Sequence, residues 1–207
     1  SSCNCSVYNF SYMGVNKLIK AVIFDCFGVL VGSSYEPFKQ KYLSHDQTLI
    51  DRFNEVDHLS SEGKITNFEA YKEFAKLANL PLQEATVFLD DNPKNNELFE
   101  FIKNNLVGKY KIGYLSNSAS NYLAELFTED DVALFDDIIL SYKFGMAKPA
   151  PEIYKLSAEH LGVQPSECVF IDDQQKYLLG AEKTGMKTIL YKNYAEFKSE
   201  LKEVLND

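Results

Sequence analysis

Apolar residues gather in five short runs: KAVIFD (20–25), YKIGYLS (110–116), DIILS (137–141), CVFID (168–172) and KTILY (187–191). Each is rich in Val, Ile, Leu or Phe and lacks a clean alternation of apolar and polar positions. That pattern predicts strands covered on both faces, as in a parallel sheet between helices. Between the later runs the period becomes helical. Residues 151–161 open with Pro151 at a first-turn position, carry Ile153, Leu156 and Leu161 at helical spacing, and stop at Gly162. Residues 175–183 and 194–205 repeat the helical pattern. From residue 105 onward strand and helix therefore alternate, the order of a doubly wound α/β sheet.

The stretch 34–104 differs, because it holds no strand pattern. Ser44 to Gln47 and Thr66 to Glu69 both fit the capping-box spacing, and Asn92-Pro93 fits an N-cap followed by Pro in the first turn. Phe68, Tyr71, Phe74, Ala75 and Ala78 recur at helical spacing, as do Leu98, Phe99, Ile102 and Leu106. The expected architecture is a Rossmann-like parallel sheet from residues 17–31 and 105–207, interrupted by an all-helical cap over 32–104. Residues 1–16 have neither a charged start nor an apolar core, so they read as a tail rather than a secretory signal.

Composition narrows the partners. The chain has 207 residues, 45% of them hydrophobic, which suits one domain carrying a small insertion. Its 21 Lys and Arg against 30 Asp and Glu leave a net charge of −9. Clustered positive charge, the usual source of affinity for nucleic acid and anionic membranes, is lacking. No apolar run approaches the roughly 18 residues of a membrane span. Cys3, Cys5, Cys26 and Cys168 make no metal-ligand quartet and read as reduced thiols of a cytoplasmic protein. The expected state is a monomer or weak dimer binding a small molecule.

In an open α/β sheet, ligands bind beyond the carboxyl ends of the strands. Those ends carry Asp25, then Ser116-Asn117-Ser118, then Asp172-Asp173, while Lys148 lies in the loop before the helix at Pro151. Singly, each has an ordinary explanation as a turn residue, an N-cap or a solvated lysine. Together they suit a divalent cation held by carboxylates beside an anion held by a lysine, a hydroxyl and backbone N–H groups. Four motifs in order, FDCFGVL (24–30), YLSNS (114–118), GMAKPAPEIY (145–154) and FIDD (170–173), resemble the haloacid dehalogenase superfamily. The match is to its phosphatase-like branch, with a small helical cap. The resemblance implies a phosphatase in which Asp25 is the nucleophile. It further implies Mg²⁺ on Asp25, the Phe27 carbonyl and Asp172, with Ser116, Asn117 and Lys148 on the phosphoryl group and Asp173 in support. The substrate would be a small phosphorylated metabolite.

Two positions depart from that branch. The second acid, two residues after the nucleophile, is replaced by Phe27, and an Asn after the Asp pair is replaced by Tyr177. Phe27 cannot protonate a leaving oxygen, and losing such help costs about 10²–10⁴-fold. Impaired turnover is therefore expected. Two alternatives follow: a metal-independent dehalogenase-type hydrolase attacking carbon, and a phosphate-binding homologue without turnover. Against the first stand the intact FIDD and the single arginine, Arg52, inside the insertion.

Overall fold

The computed structural model describes residues 18–205, so the expected tail lies outside the described residues. Five strands, β1 (Ala21–Phe24), β2 (Lys111–Ser116), β3 (Asp137–Leu140), β4 (Cys168–Asp172) and β5 (Lys187–Leu190), form one parallel sheet in the order β3-β2-β1-β4-β5. All five coincide with the apolar runs. Successive residues of β1 point to opposite faces, and both faces are buried. Val22 and Phe24 join one apolar cluster, while Ala21 and Ile23 join another. Two helical layers thus cover the sheet, which is why its strands read as continuous apolar runs.

The helices in chain order are α1 (Tyr35–Phe38), α2 (Gln47–Ser61), α3 (Asn67–Leu77), α4 (Leu82–Leu89), α5 (Asn96–Phe101), α6 (Leu123–Leu126), α7 (Glu129–Val132), α8 (Pro151–His160), α9 (Gln175–Glu182) and α10 (Tyr194–Leu205). α8 and α9 cover the Ala21/Ile23 face, and α5 and α10 the other. Between β2 and β3 the expected crossover helix is only the two single turns α6 and α7. A third apolar cluster is built from residues of α1 to α4, with Phe53 and Phe74 stacked at 3.8 Å between ring centres. Leu98, Phe99, Ile102 and Leu106 pack instead with the sheet. That helix belongs by its contacts to the sheet side, although its sequence continues the strand-free stretch.

Two helix starts differ from expectation. α2 is capped by Asp46, whose carboxylate accepts from Thr48 N–H at 2.8 Å, and not by Ser44. α5 is capped by Asn95, whereas the Asn92 side chain accepts from Ser34 N–H at 2.9 Å and donates to the Leu89 carbonyl at 2.7 Å, tying the two crossings into the insertion together. At Thr66 the capping box forms as expected.

Candidate active site

Register brings the acids together. Phe24 pairs with Ile171 across β1 and β4, so the next residues, Asp25 and Asp172, leave the sheet side by side. This is the point where strand order reverses, with β2 on one side of β1 and β4 on the other. After Asp25 the chain turns back tightly. Gly28 adopts φ +90°, and a Cβ there would meet the Asp173 carboxylate at 2.3 Å. Only glycine lets this turn lie against Asp173.

Lys148 joins the two strand ends. Its Nζ donates to Asp25 Oδ1 and to Asp172 Oδ2, each at 2.7 Å, with the lysine 1% exposed. Asn117 aims it: its Nδ2 donates to the Lys148 carbonyl at 3.0 Å, and its Oδ1 accepts from Lys148 N–H at 2.8 Å. Tyr177 covers it, with the ring centre 4.8 Å from Nζ. Gly180 lets α9 approach this loop, since a Cβ would sit 2.6 Å from the Pro149 carbonyl oxygen.

The electrostatics follow from burial. Burial opposes the lysine's charge, but Asp172 and Asp25 overcome it and hold the ammonium charged. Burial pushes Asp25 up to about 8 against the pull of Lys148, with Asp172 adding repulsion. Burial and Asp172 raise Asp173 to about 6. Asp25, Asp172 and Asp173 each offer an oxygen within 4.8 Å of the others. Three carboxylates against one ammonium leave a formal charge of −2, which a divalent cation would balance. Asp173 Oδ1 is buried without a hydrogen-bond partner, and among the described residues no hydrogen bond ends on the Phe27 carbonyl oxygen. Both are oxygens that a hard cation would use. The residues present fit such an ion.

Over this floor lies a cavity of about 290 Å³ between sheet and cap, with Asp25, Phe27, Asn117 and Lys148 in its wall. Ser116 is 1% exposed, and its hydroxyl donates to the Asn117 carbonyl at 3.3 Å, so it stands behind the wall rather than in it. The Phe27 ring meets Tyr122 edge-on at 6.1 Å. The cap contributes residues that sequence reasoning did not single out, among them Lys39, Asn54 and Asp57, and α9 adds Lys176. Of the aromatic residues at helical spacing, Tyr71 reaches the cavity, Phe53 and Phe74 fill the cap core, and Phe68 is exposed.

A sequence profile of the haloacid dehalogenase-like hydrolases matches residues 19–185. The chain belongs to this family. D-ribitol-5-phosphate phosphatase of Bacteroides thetaiotaomicron is 25% identical to this hydrolase over 214 residues, covering 91% of the chain and 100% of the relative. Bifunctional epoxide hydrolase 2 of Sus scrofa is 43% identical over 70 residues, but the match spans only 13% of that longer protein. Among solved structures, a HAD family enzyme from B. thetaiotaomicron in complex with magnesium and inorganic phosphate aligns with a TM-score of 0.62 at 26% identity, covering 84% of this hydrolase and 94% of that chain. A dehalogenase with an intermediate complex aligns at 0.67 and 17% identity, covering 91% and 98%, a likeness of fold alone. Among the described residues of this hydrolase, no helix is long and apolar enough to cross a membrane.

Proposed function

We propose that this hydrolase is a Mg²⁺-dependent phosphatase of a small, hydroxyl-bearing phosphorylated metabolite, working through an aspartyl-phosphate on Asp25 in the cytoplasm. The observation that carries the reading is Asp25 and Asp172 bridged by one buried lysine on the cavity floor. The relative named for D-ribitol 5-phosphate and the neighbour holding magnesium and phosphate support it, as does the polar wall of Asn54, Asp90 and Asn92. Asp25, Asp172 and the Phe27 carbonyl would hold the metal, with Asp173 orienting its water ligands. When bound, the ion would screen negative charge on the phosphoryl oxygens and the floor carboxylates. Asp25 attacks phosphorus through a carboxylate oxygen. The Lys148 ammonium and the backbone at Asn117 hold the phosphoryl oxygens, and Asn117 keeps the lysine's backbone fixed while they do so. Ser116 supports the Asn117 peptide from behind.

Metal-free attack on carbon has less support, because the single arginine, Arg52, pairs with Glu55 at 2.7 Å outside the cavity wall. The test is hydrolysis of p-nitrophenyl phosphate with Mg²⁺ and with a chelator. Turnover that requires the metal is expected, and equal rates under both conditions would overturn the reading.

A further inference from the structure

In-line displacement puts the leaving oxygen on the side of phosphorus away from the nucleophile. Asp25 is on the sheet side of the cavity, so the leaving group faces the cap. Phe27 offers no proton there. Four other carboxyls line the cavity: Glu36, Asp57, Asp90 and Glu125. Glu36 is 66% exposed and paired with Lys39, Asp90 accepts from the Tyr71 hydroxyl at 2.9 Å, and Glu125 is exposed at the rim. Asp57 alone among these is partly buried, and its carboxylate makes no ion pair or hydrogen bond among the described residues.

Its helix is fastened to the floor. The Ser61 carbonyl, at the end of α2, accepts from the Ser141 hydroxyl, whose oxygen accepts from Ser118 N–H at 2.9 Å. Ser118 follows Asn117 directly. Asp57 lies one turn back on the same cavity-facing side, about 6 Å along the axis. We propose that Asp57 protonates the leaving oxygen and then deprotonates the attacking water, doing from the cap what Phe27 cannot do from the floor. This rests on the phosphatase reading.

In the first half-reaction an Asp25 oxygen bonds phosphorus, the ester P–O bond breaks, and the Asp57 proton passes to the departing oxygen, giving the alcohol. In the second, a water oxygen bonds phosphorus, the Asp25–phosphorus bond breaks, and the Asp57 carboxylate takes the water proton. Phosphate leaves and both carboxyls return to their starting states. Burial pushes Asp57 up to about 6, against the pull of Lys176 on α9, Lys39 beyond α1 and His58 on its own helix, with Glu36 of α1 adding repulsion. The phenols of Tyr35, Tyr122 and Tyr177 around it are all raised by burial, so they stay neutral in this range. A carboxyl of that strength serves as both acid and base near neutrality.

The test compares wild type, Asp57→Asn and Asp57→Glu on p-nitrophenyl phosphate and glycerol phosphate with Mg²⁺. Asp57→Asn should lower kcat/KM on the glycerol ester about 10²–10⁴-fold and leave kcat/KM on the nitrophenyl ester within about tenfold. That ratio reports alcohol release, while the water step shared by both esters lowers kcat on both. Asp57→Glu should retain more glycerol-ester turnover than Asp57→Asn. The wild-type kcat/KM on the glycerol ester, which needs protonated Asp57, should fall above pH about 6, and the variant should lack that fall. The ester itself ionises near pH 6, so the difference between the two profiles is read. Equal losses of kcat/KM on both esters, equal losses in both variants, or an undiminished glycerol-ester kcat/KM would overturn the proposal. Failure of wild type on the nitrophenyl ester would overturn the phosphatase reading and this inference together.

Discussion

Lys148 is buried between carboxylates, so its removal leaves Asp25 and Asp172 without their cation. Breaking a buried pair by deleting one partner costs about 3–5 kcal/mol. Lys148→Met should lose stability of that order in urea unfolding at neutral pH, and a loss below about 1 kcal/mol would show the ion pair to be unimportant. Phe27 gives a second residue-level test. Phe27→Asp introduced into Asp57→Asn should recover glycerol phosphate hydrolysis by about tenfold or more, measured as kcat; no recovery would mean that a carboxyl at position 27 cannot reach the leaving oxygen. Asp57 itself carries a signed stability effect. Its acid strength is lower in the folded protein, about 6 against 3.8 when unfolded. The folded state therefore holds the extra proton, and stability falls as pH rises through that window. Asp57→Asn should lack that fall in unfolding free energies measured between pH 4 and 7.

The floor residues were legible because the acids and Asn117 lie at strand ends and Lys148 in the loop leading into a helix, where pattern and chemistry coincide. Asp57 and Lys176 were not. On an amphipathic helix a polar residue facing a cavity has the same period as one facing water, and only the packed cap distinguishes them.

Among the elements, the strands were legible because continuous apolar runs have few other uses in a chain of this length. Helix starts were less so, because neighbouring Ser, Asp and Asn compete for one cap. Asp46 displaces Ser44 at α2, and Asn95 displaces Asn92, which instead ties Ser34 to Leu89. Thr66 had no such competitor: its hydroxyl accepts from Glu69 N–H at 3.2 Å, and the Glu69 carboxylate accepts from Thr66 N–H at 2.8 Å. Thr66→Ala should cost about 1 kcal/mol. Faster amide exchange over α3 should accompany unchanged nitrophenyl phosphate turnover; a matching loss of turnover would show that this cap feeds directly into the chemistry.

For the whole molecule, sheet order decides where chemistry can occur. Only the carboxyl end of β1, flanked by β2 and β4, collects residues from separate parts of the chain into one floor. Strand and helix alternation implied that convergence before any distance was known, whereas the assignment of α5 to the sheet side depended on packing. Because the floor carries excess negative charge, Mg²⁺ should bind the folded protein and raise its melting temperature with concentration. Asp172→Asn should lose most of that rise and weaken Mg²⁺ binding in titration calorimetry; an equal rise in the variant would move the ion elsewhere. The most direct test of the account is the steady-state hydrolysis of p-nitrophenyl phosphate with Mg²⁺ by wild type and Asp25→Asn. The account predicts metal-dependent turnover in wild type and a background rate in the variant. A variant rate above about one hundredth of wild type would contradict attack by Asp25.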